Sequence, residues 1–538
     1  MYARETAIDN RLCLCFGPYF LTTTTDFNSP FKGERTKAKN NKSAFKVKNL
    51  NIIACLFARL PTVVLFATGF IISPLYAGSA LADTDLQDVL SGFDTTLPVA
   101  LDDVDVSDGI NAILDGFDGP LGTEPDNINE PPAPLQWLDP FGSLSIMGTW
   151  NFAHDTPSEG EADFRNLSML RTTGALGVDI DLNSWQLRIS GHGFYDAAYS
   201  IQGREQYTDD MLDDYGQEWE FDELNLAGDL TDDLDIKIGR QIVVWGKADN
   251  LRVTDILNPL DNRILGMVDI KYKRLPVAMS KLDYYSGPWN VSVIVINEVR
   301  FDKIPVYNSD FYPGNGPAVS DVEPTNFALD TQQYAMAVNG IFSGWDLSFY
   351  QAWVYDGRPH LTLKDSTPVR EHNRVSMSGM TGNIAFGNWL FKGEGAWWNG
   401  LKYGAVSAKN FNRIDLMAGV EYTGFSETML SLEFVNRHII HYNQQLASPP
   451  DLTEQDVQQT VLMVSRDFFN DRTQAKLLCS FFDTTGDGGA FERLQLEHEL
   501  SDAVSITGGI IFYQSGDLQA FSDLGGNDRI FLEYVYSF

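Results

Sequence analysis

The chain has 538 residues, 43% of them hydrophobic and 12% aromatic, with 45 glycines and a formal charge of −34. After residue 82 the imbalance sharpens to 29 basic against 69 acidic residues, which argues against nucleic acid as a partner. The mean hydropathy of −0.18 and the lack of a long apolar run after residue 82 exclude a helical membrane protein. They leave room for strands whose two faces average out.

The first 82 residues have the order of an export signal. Residues 32–48 are basic, Leu60 to Leu75 is apolar, and Ala80 and Ala82 give the small-x-small pattern expected before cleavage at Asp83. Residues 1–31 carry no recognisable feature, and translation is expected to begin further in. Cys13, Cys15 and Cys55 fall in this leader, so Cys479 alone remains and no disulfide can form in the mature chain.

Residues 83–140 contain fourteen acids and no Lys or Arg. Leu90-Ser91-Gly92-Phe93-Asp94 is echoed by Leu114-Asp115-Gly116-Phe117-Asp118, each after apolar residues at helical spacing. Two short helices and a Pro-rich linker are expected, as a periplasmic extension or plug. A disordered acidic leader is the bland alternative.

From about residue 141 the pattern becomes strand and turn. Ile414, Leu416, Ala418, Val420 and Tyr422 alternate with Arg413, Asp415 and Glu421. Tight turns alternate with long connections near 199–217, 249–272, 302–328 and 442–456. Short–long alternation with strands of ten or more residues predicts an all-β, transmembrane antiparallel barrel of about eighteen strands, with sixteen as the alternative. The expected domains are therefore a leader over 1–82, an acidic extension over 83–140 and a barrel over 141–538.

Strand parity assigns a pore-lining face: Arg165, Arg171, Arg188, His192, Lys237, Lys392, Glu394, Arg413, Asp415, Glu421, Glu433, Arg437, Arg493, Glu497, Arg529 and Glu533. Arg240 joins it if a bulge near Gly239 resets the phase. Interleaved opposite charges suit a narrow or plugged lumen better than a wide pore. Residues 249–272 are long for a plain connection, and a constriction loop is expected from Asp249, Arg252, Asp255, Asn258, Asp261 and Arg263. The last strand places Leu532, Tyr534, Tyr536 and the terminal Phe538 on its apolar face, as an assembly signal that also contacts lipid.

Within this stretch, Gly239-Arg240-Gln241-Ile242-Val243-Val244-Trp245-Gly246 is followed by Asp255-Ile256-Leu257-Asn258-Pro259-Leu260-Asp261. The segment resembles the domain-of-unknown-function 1302 family, proteobacterial proteins regarded as outer-membrane barrels. The likeness extends loosely over residues 142–538. It implies a barrel in the outer membrane of a Gram-negative bacterium and hints at apolar cargo, through partnership with lipid-handling systems.

The expected function is passage or handover of a solute across that membrane. The alternatives are a lipid-acting barrel enzyme using His192 and a structural or adhesin-like barrel. No catalytic set, metal site or cofactor motif emerges. Acids at Asp209, Asp210, Asp213 and Asp214, and at Asp483 and Asp487, match no complete calcium loop. The expected partners are outer-membrane lipid and lipopolysaccharide, the barrel-assembly machinery, and a periplasmic or inner-membrane transport protein.

Overall fold

The computed structural model describes residues 137–157, 162–313 and 319–538. The leader and nearly all of the acidic segment lie outside them. The described residues form twenty-one strands. The first seven are β1 (Leu138–Asn151), β2 (Asn166–Asp181), β3 (Trp185–Asp196), β4 (Gln217–Thr231), β5 (Leu234–Gln241), β6 (Val277–Ser286) and β7 (Trp289–Ile296). Next come β8 (Asp321–Val322), β9 (Gln333–Phe342), β10 (Trp345–Tyr355), β11 (His360–Lys364), β12 (Thr367–Glu371), β13 (Arg374–Phe386) and β14 (Trp389–Leu401). The series ends with β15 (Phe411–Phe425), β16 (Thr428–Ile440), β17 (Asp456–Phe468), β18 (Thr473–Phe482), β19 (Gly489–Ser501), β20 (Val504–Gln514) and β21 (Arg529–Ser537).

Eighteen of these form one sheet, each antiparallel to its neighbour. It closes because β1 pairs with β2 on one side and with β21 on the other, in register from Ser143↔Ser537 to Asn151↔Arg529. The terminal Phe538 extends the seam, exchanging both backbone hydrogen bonds with Gly142 at 2.9 and 3.0 Å. Closure pairs each strand of the sheet with a neighbour on both sides, as a sheet in hydrocarbon requires, apart from one stretch of β4. The expected eighteen strands are therefore observed, and the first begins at Leu138 rather than at 141. β8, β11 and β12 make a separate three-stranded sheet within the long connections.

The two faces of the wall differ as the parity requires. Leu144, Ile146, Leu176, Phe349, Leu416, Leu432 and Leu532 are exposed on the outside. Exposed aromatics mark both rims: Trp150, Tyr195, Trp219, Tyr334, Trp353 and Trp397 near the long connections, and Trp345, Trp389, Phe425, Tyr536 and Phe538 near the short turns. An apolar belt between two aromatic rings is what a bilayer selects. Among the described residues no helix is long and apolar enough to cross a membrane.

The wall is uneven. β13 to β17 run 13 to 15 residues, whereas β5 and β7 have 8 and β6 and β9 have 10. β4 has 15, yet β5 pairs with it only from Leu224 to Thr231. Among the described residues, the edge of β4 from Gln217 to Glu223 therefore has no strand partner on that side.

Candidate functional site

The segment 242–276, between β5 and β6, turns into the barrel. Its apolar residues Val243, Trp245, Leu251, Val253 and Leu257 are buried against inward side chains such as Met279, Ile294, Ala352, Met377, Val435 and Ile439. Each such side chain contributes roughly 1.5–3 kcal/mol of burial. Trp245 also stacks on Tyr350 of β10, ring centroids 4.6 Å apart.

Two buried strand carboxylates hold one turn of this segment by its backbone. Glu394 of β14 accepts from the amides of Lys247, Ala248 (2.7 Å) and Thr254 (3.3 Å), and from the Thr254 hydroxyl at 3.0 Å. Glu433 of β16 accepts from Asp249 and Asn250 at 2.8 and 3.0 Å. Several N–H donors converging on a carboxylate form a charge-assisted cradle. Gly246 is needed there: its φ is +94°, and a Cβ would lie 2.8 Å from Glu394. Side-chain pairs add to the hold, Lys392 to Asp249 at 2.5 Å and Lys247 to Asp346 at 3.1 Å.

Asn258 closes the base of the segment. Its carbonyl accepts from Val243 at 2.8 Å and its amide donates to the carbonyls of Gln241 and Leu275. Asp255 accepts from the Trp245 amide and from Arg274 at 2.9 Å, while Arg252 donates to the Asp255 and Asn258 carbonyls at 2.7 Å. These bonds explain the sequence signature: an Asn-Pro step flanked by acids and arginines ties both ends of an inward excursion.

The far end of the segment reaches the other side of the barrel. Asp269 meets Arg493 of β19, and Lys476 of β18 at 2.6 Å; Arg493 also donates to the Gly266 and Met267 carbonyls. Tyr513 of β20 donates to the Leu265 carbonyl at 2.7 Å. The connection 297–332 follows the same course. Asp310 pairs with Arg529 of β21 at 2.7 Å, and Phe311 packs edge-on to Tyr513.

Most of the expected lumen residues face inward. Arg171 meets Asp196, Arg188 meets Asp179 and Glu223, His192 meets Asp222 and Glu218, and Arg413 meets Asp415. Arg437 donates to the Arg252 carbonyl, Lys392 meets Glu421, and Lys237 opposes Lys281 across the β5–β6 ladder. Rows across three strands place Arg493, Ile511 and Arg529 side by side, and Glu497, Thr507 and Glu533 likewise. The terminal strand thus keeps the expected register with its upstream partners. Leu532, Tyr534, Tyr536 and Phe538 are all exposed on its outer face.

Two expectations need correction. Arg165 is not on a strand; it precedes β2 and is held by Asp163 in the connection. Arg240 is not turned inward by a bulge. The β5 ladder runs unshifted through Gly239, and Arg240 pairs with outward Leu224 and with Ala278. Gly239 instead accommodates a close approach: its φ is +126°, and a Cβ would lie 2.1 Å from the Leu224 carbonyl. Arg240 still reaches Glu220 at 2.8 Å, because β5 ends one residue later and leaves open space above it. The phase change in β4 is a bulge, seen as a register shift opposite Ile189 and Gly191.

The sequence reading missed a charged cluster beside the open edge of β4. Glu220 binds Arg240, Arg300 and Lys303; Glu218 binds Arg263 at 2.8 Å and Lys303 at 3.0 Å. Arg240 and Arg300 both donate to the Pro276 carbonyl, at 3.2 and 2.9 Å. Parity could have flagged Glu218 and Glu220, but three of their partners, Arg263, Arg300 and Lys303, come from connections, which have no period. Beside the cluster, a cavity of about 440 Å³ is lined by Lys303, Ile304, Val306, Tyr307, Tyr312 and Asp214, among others. The nearby acids Asp210 and Asp213 also border it.

One group in the inward segment is electrostatically strained. Burial pushes the Lys273 ammonium down to about 8, against the pull of Asp261 and Asp302. Burial likewise raises the carboxyl of Asp302. Burial opposes the charge on Asp261 too, but there the Arg263 guanidinium holds the carboxyl below its usual range.

Comparison with known proteins adds a family match. The family described as "Protein of unknown function (DUF1302)" matches residues 63–538. No curated protein matches the sequence. Among solved structures, Acinetobacter baumannii OccAB2 aligns at TM-score 0.46 and 8% identity, covering 74% of this chain and 98% of its own. Pseudomonas aeruginosa OccK2 (OpdF), in complex with glucuronate, aligns at 0.44 and 11%, covering 74% and 97%. Acinetobacter baumannii OccAB3 aligns at 0.45 and 9%, covering 74% and 99%.

Proposed function

We propose that this chain, which belongs to the DUF1302 family of proteins of unknown function, conducts a solute across the outer membrane of a Gram-negative bacterium. One observation carries the reading: an inward segment, 242–276, tied to β4, β10, β14, β16, β18, β19 and β20 inside a closed barrel with an apolar belt. A purely structural barrel has no need of a peptide fastened around its interior. A channel does, because it must narrow a lumen this wide to select by size and charge.

In this reading Asp249, Arg252, Asp255, Asn258, Asp261 and Arg263 belong to the constriction. The inward strand charges hold it and set the field along the path. Long connections face the exterior and short turns the periplasm.

Planar-bilayer recording on refolded protein tests the proposal. A small unit conductance is expected, and Glu394→Ala with Glu433→Ala should enlarge it. Those carboxylates accept backbone amides of the segment, and each charged bond lost costs about 2 kcal/mol of its anchoring. Flat traces at high voltage, with no solute uptake into liposomes, would remove the function.

Apolar or lipid-like cargo is a second reading. The open edge of β4, with Trp219 84% exposed beside it, favours it.

A further inference from the structure

We infer that the barrel has a side opening in its wall, between the unpaired edge of β4 and the segments above β5. It is closed by an ionic latch and admits a long-chain carboxylate or similar anionic amphiphile from the bilayer. The inference rests on the outer-membrane transport reading above and names a cargo for it.

Three observations meet at this place. First, the wall is not closed by backbone here. β5 leaves β4 after Leu224↔Arg240, and from Gln217 to Glu223 the β5-facing side of β4 has no strand partner among the described residues. Unpaired peptide groups are costly against hydrocarbon, so such an edge survives only where something polar covers it. Side chains bridge the place: Arg240 and Arg300 span from the Pro276 carbonyl to Glu220, and Lys303 joins Glu218 to Glu220. Ion pairs between flexible side chains can part and re-form, which a ladder of backbone bonds cannot do locally.

Second, the two sides of the latch differ in polarity. Outside stand Trp219 and Phe221, 84% and 68% exposed. Phe221 lines an apolar groove of about 360 Å³ with Leu176, Val178, Ile189 and Gly191. Inside, Lys303 and Arg263 border the 440 Å³ cavity, whose wall is apolar through Ile304, Pro305 and Val306 and acidic at Asp210, Asp213, Asp214 and Asp321. An acyl chain finds apolar surface on both sides.

Third, the charges fit an anion. Four cations, Arg240, Arg263, Arg300 and Lys303, meet Glu218 and Glu220, while Asp261 also holds Arg263 and Glu298 lies 3.9 Å from Arg240, so an incoming anion must compete for a partner rather than find a spare charge. A carboxylate arriving from the membrane can take the place of Glu220 on Arg240 and Arg300, so the latch opens by exchange of partners rather than by exposing bare charge. Trp219 lies two residues inside the long-connection end of β4, in the outer aromatic ring, where a lipid head group would sit.

The test uses the full chain in phospholipid vesicles, with its four cysteines replaced by serine and with Glu220→Cys and Arg300→Cys. A hexadecanoate carrying a diazirine on its chain is photolysed before and after bridging the two thiols with a bismaleimide. The heat-modifiable gel band establishes that the barrel is folded. Label is expected on Trp219 and Phe221 in both states, and on Ile304 to Val306 only before bridging, with conductance unchanged by the bridge. Equal label at 304–306 in both states, or none in either, overturns the side opening. Loss of conductance on bridging overturns it too, because the gap would then be part of the ion path. If label is gated by the bridge but neither state conducts, the side opening stands and the solute channel falls.

Discussion

Charged residues inside the barrel are kept in place by one another and by partners on the inward segments. Asp269 is the clearest case: it neutralises both Arg493, which is 2% exposed, and Lys476. Removing one member of such a set leaves a buried charge uncompensated. Asp269→Ala should therefore loosen the segment by about 3 kcal/mol and make residues 264–272 more open to limited proteolysis than in the parent.

Lys273 makes the opposite prediction. Its folded pKa of about 8 lies below the ordinary 10.5, so the folded chain binds its proton more weakly than the unfolded chain does. The burial penalty is present in full below pH 8 and fades as pH rises from 8 to 10.5. Lys273→Met should thus raise thermal stability at neutral pH by on the order of 3 kcal/mol, with the gain vanishing above pH 10.5. A constant gain across that range would show that the ammonium is solvated.

Strands were legible in the sequence to different degrees. β15 and β21 announce themselves because their two faces meet opposite environments, lipid and charged interior. That makes parity strict: Arg413 and Asp415 are buried, and Leu416 is exposed. β21 also carries a prediction. Phe538 closes the seam with β1 through two backbone bonds and covers Gly142, where a Cβ would meet its ring at 2.7 Å. Deleting Phe538 should sharply lower the folded, outer-membrane fraction in cell fractionation; normal assembly would count against its role as a signal. β5 was the hard element. Its length is set by where the chain turns inward, and Arg240 misled because its side chain reaches the interior over the end of the strand rather than through a bulge.

At the scale of the whole molecule, the sequence by itself determined the barrel. Period-two alternation, terminal aromatics and the rhythm of short and long connections follow from a wall with lipid outside and charge inside; they left the count at about eighteen strands or sixteen, and the structure shows eighteen. The Asn-Pro signature likewise marked 249–272 as more than a connection, since crowded acids and arginines need partners. What only the tertiary structure decided is which partners they find. Glu394 lies about 140 residues from the amides that it binds, as Arg493 lies more than 200 from Asp269. Connections have no repeat that would bring such pairs together on paper. Their meeting depends on closure of the sheet, which brings distant strands around one interior, and on the short β5, which leaves the gap that the charges of 298–303 fill.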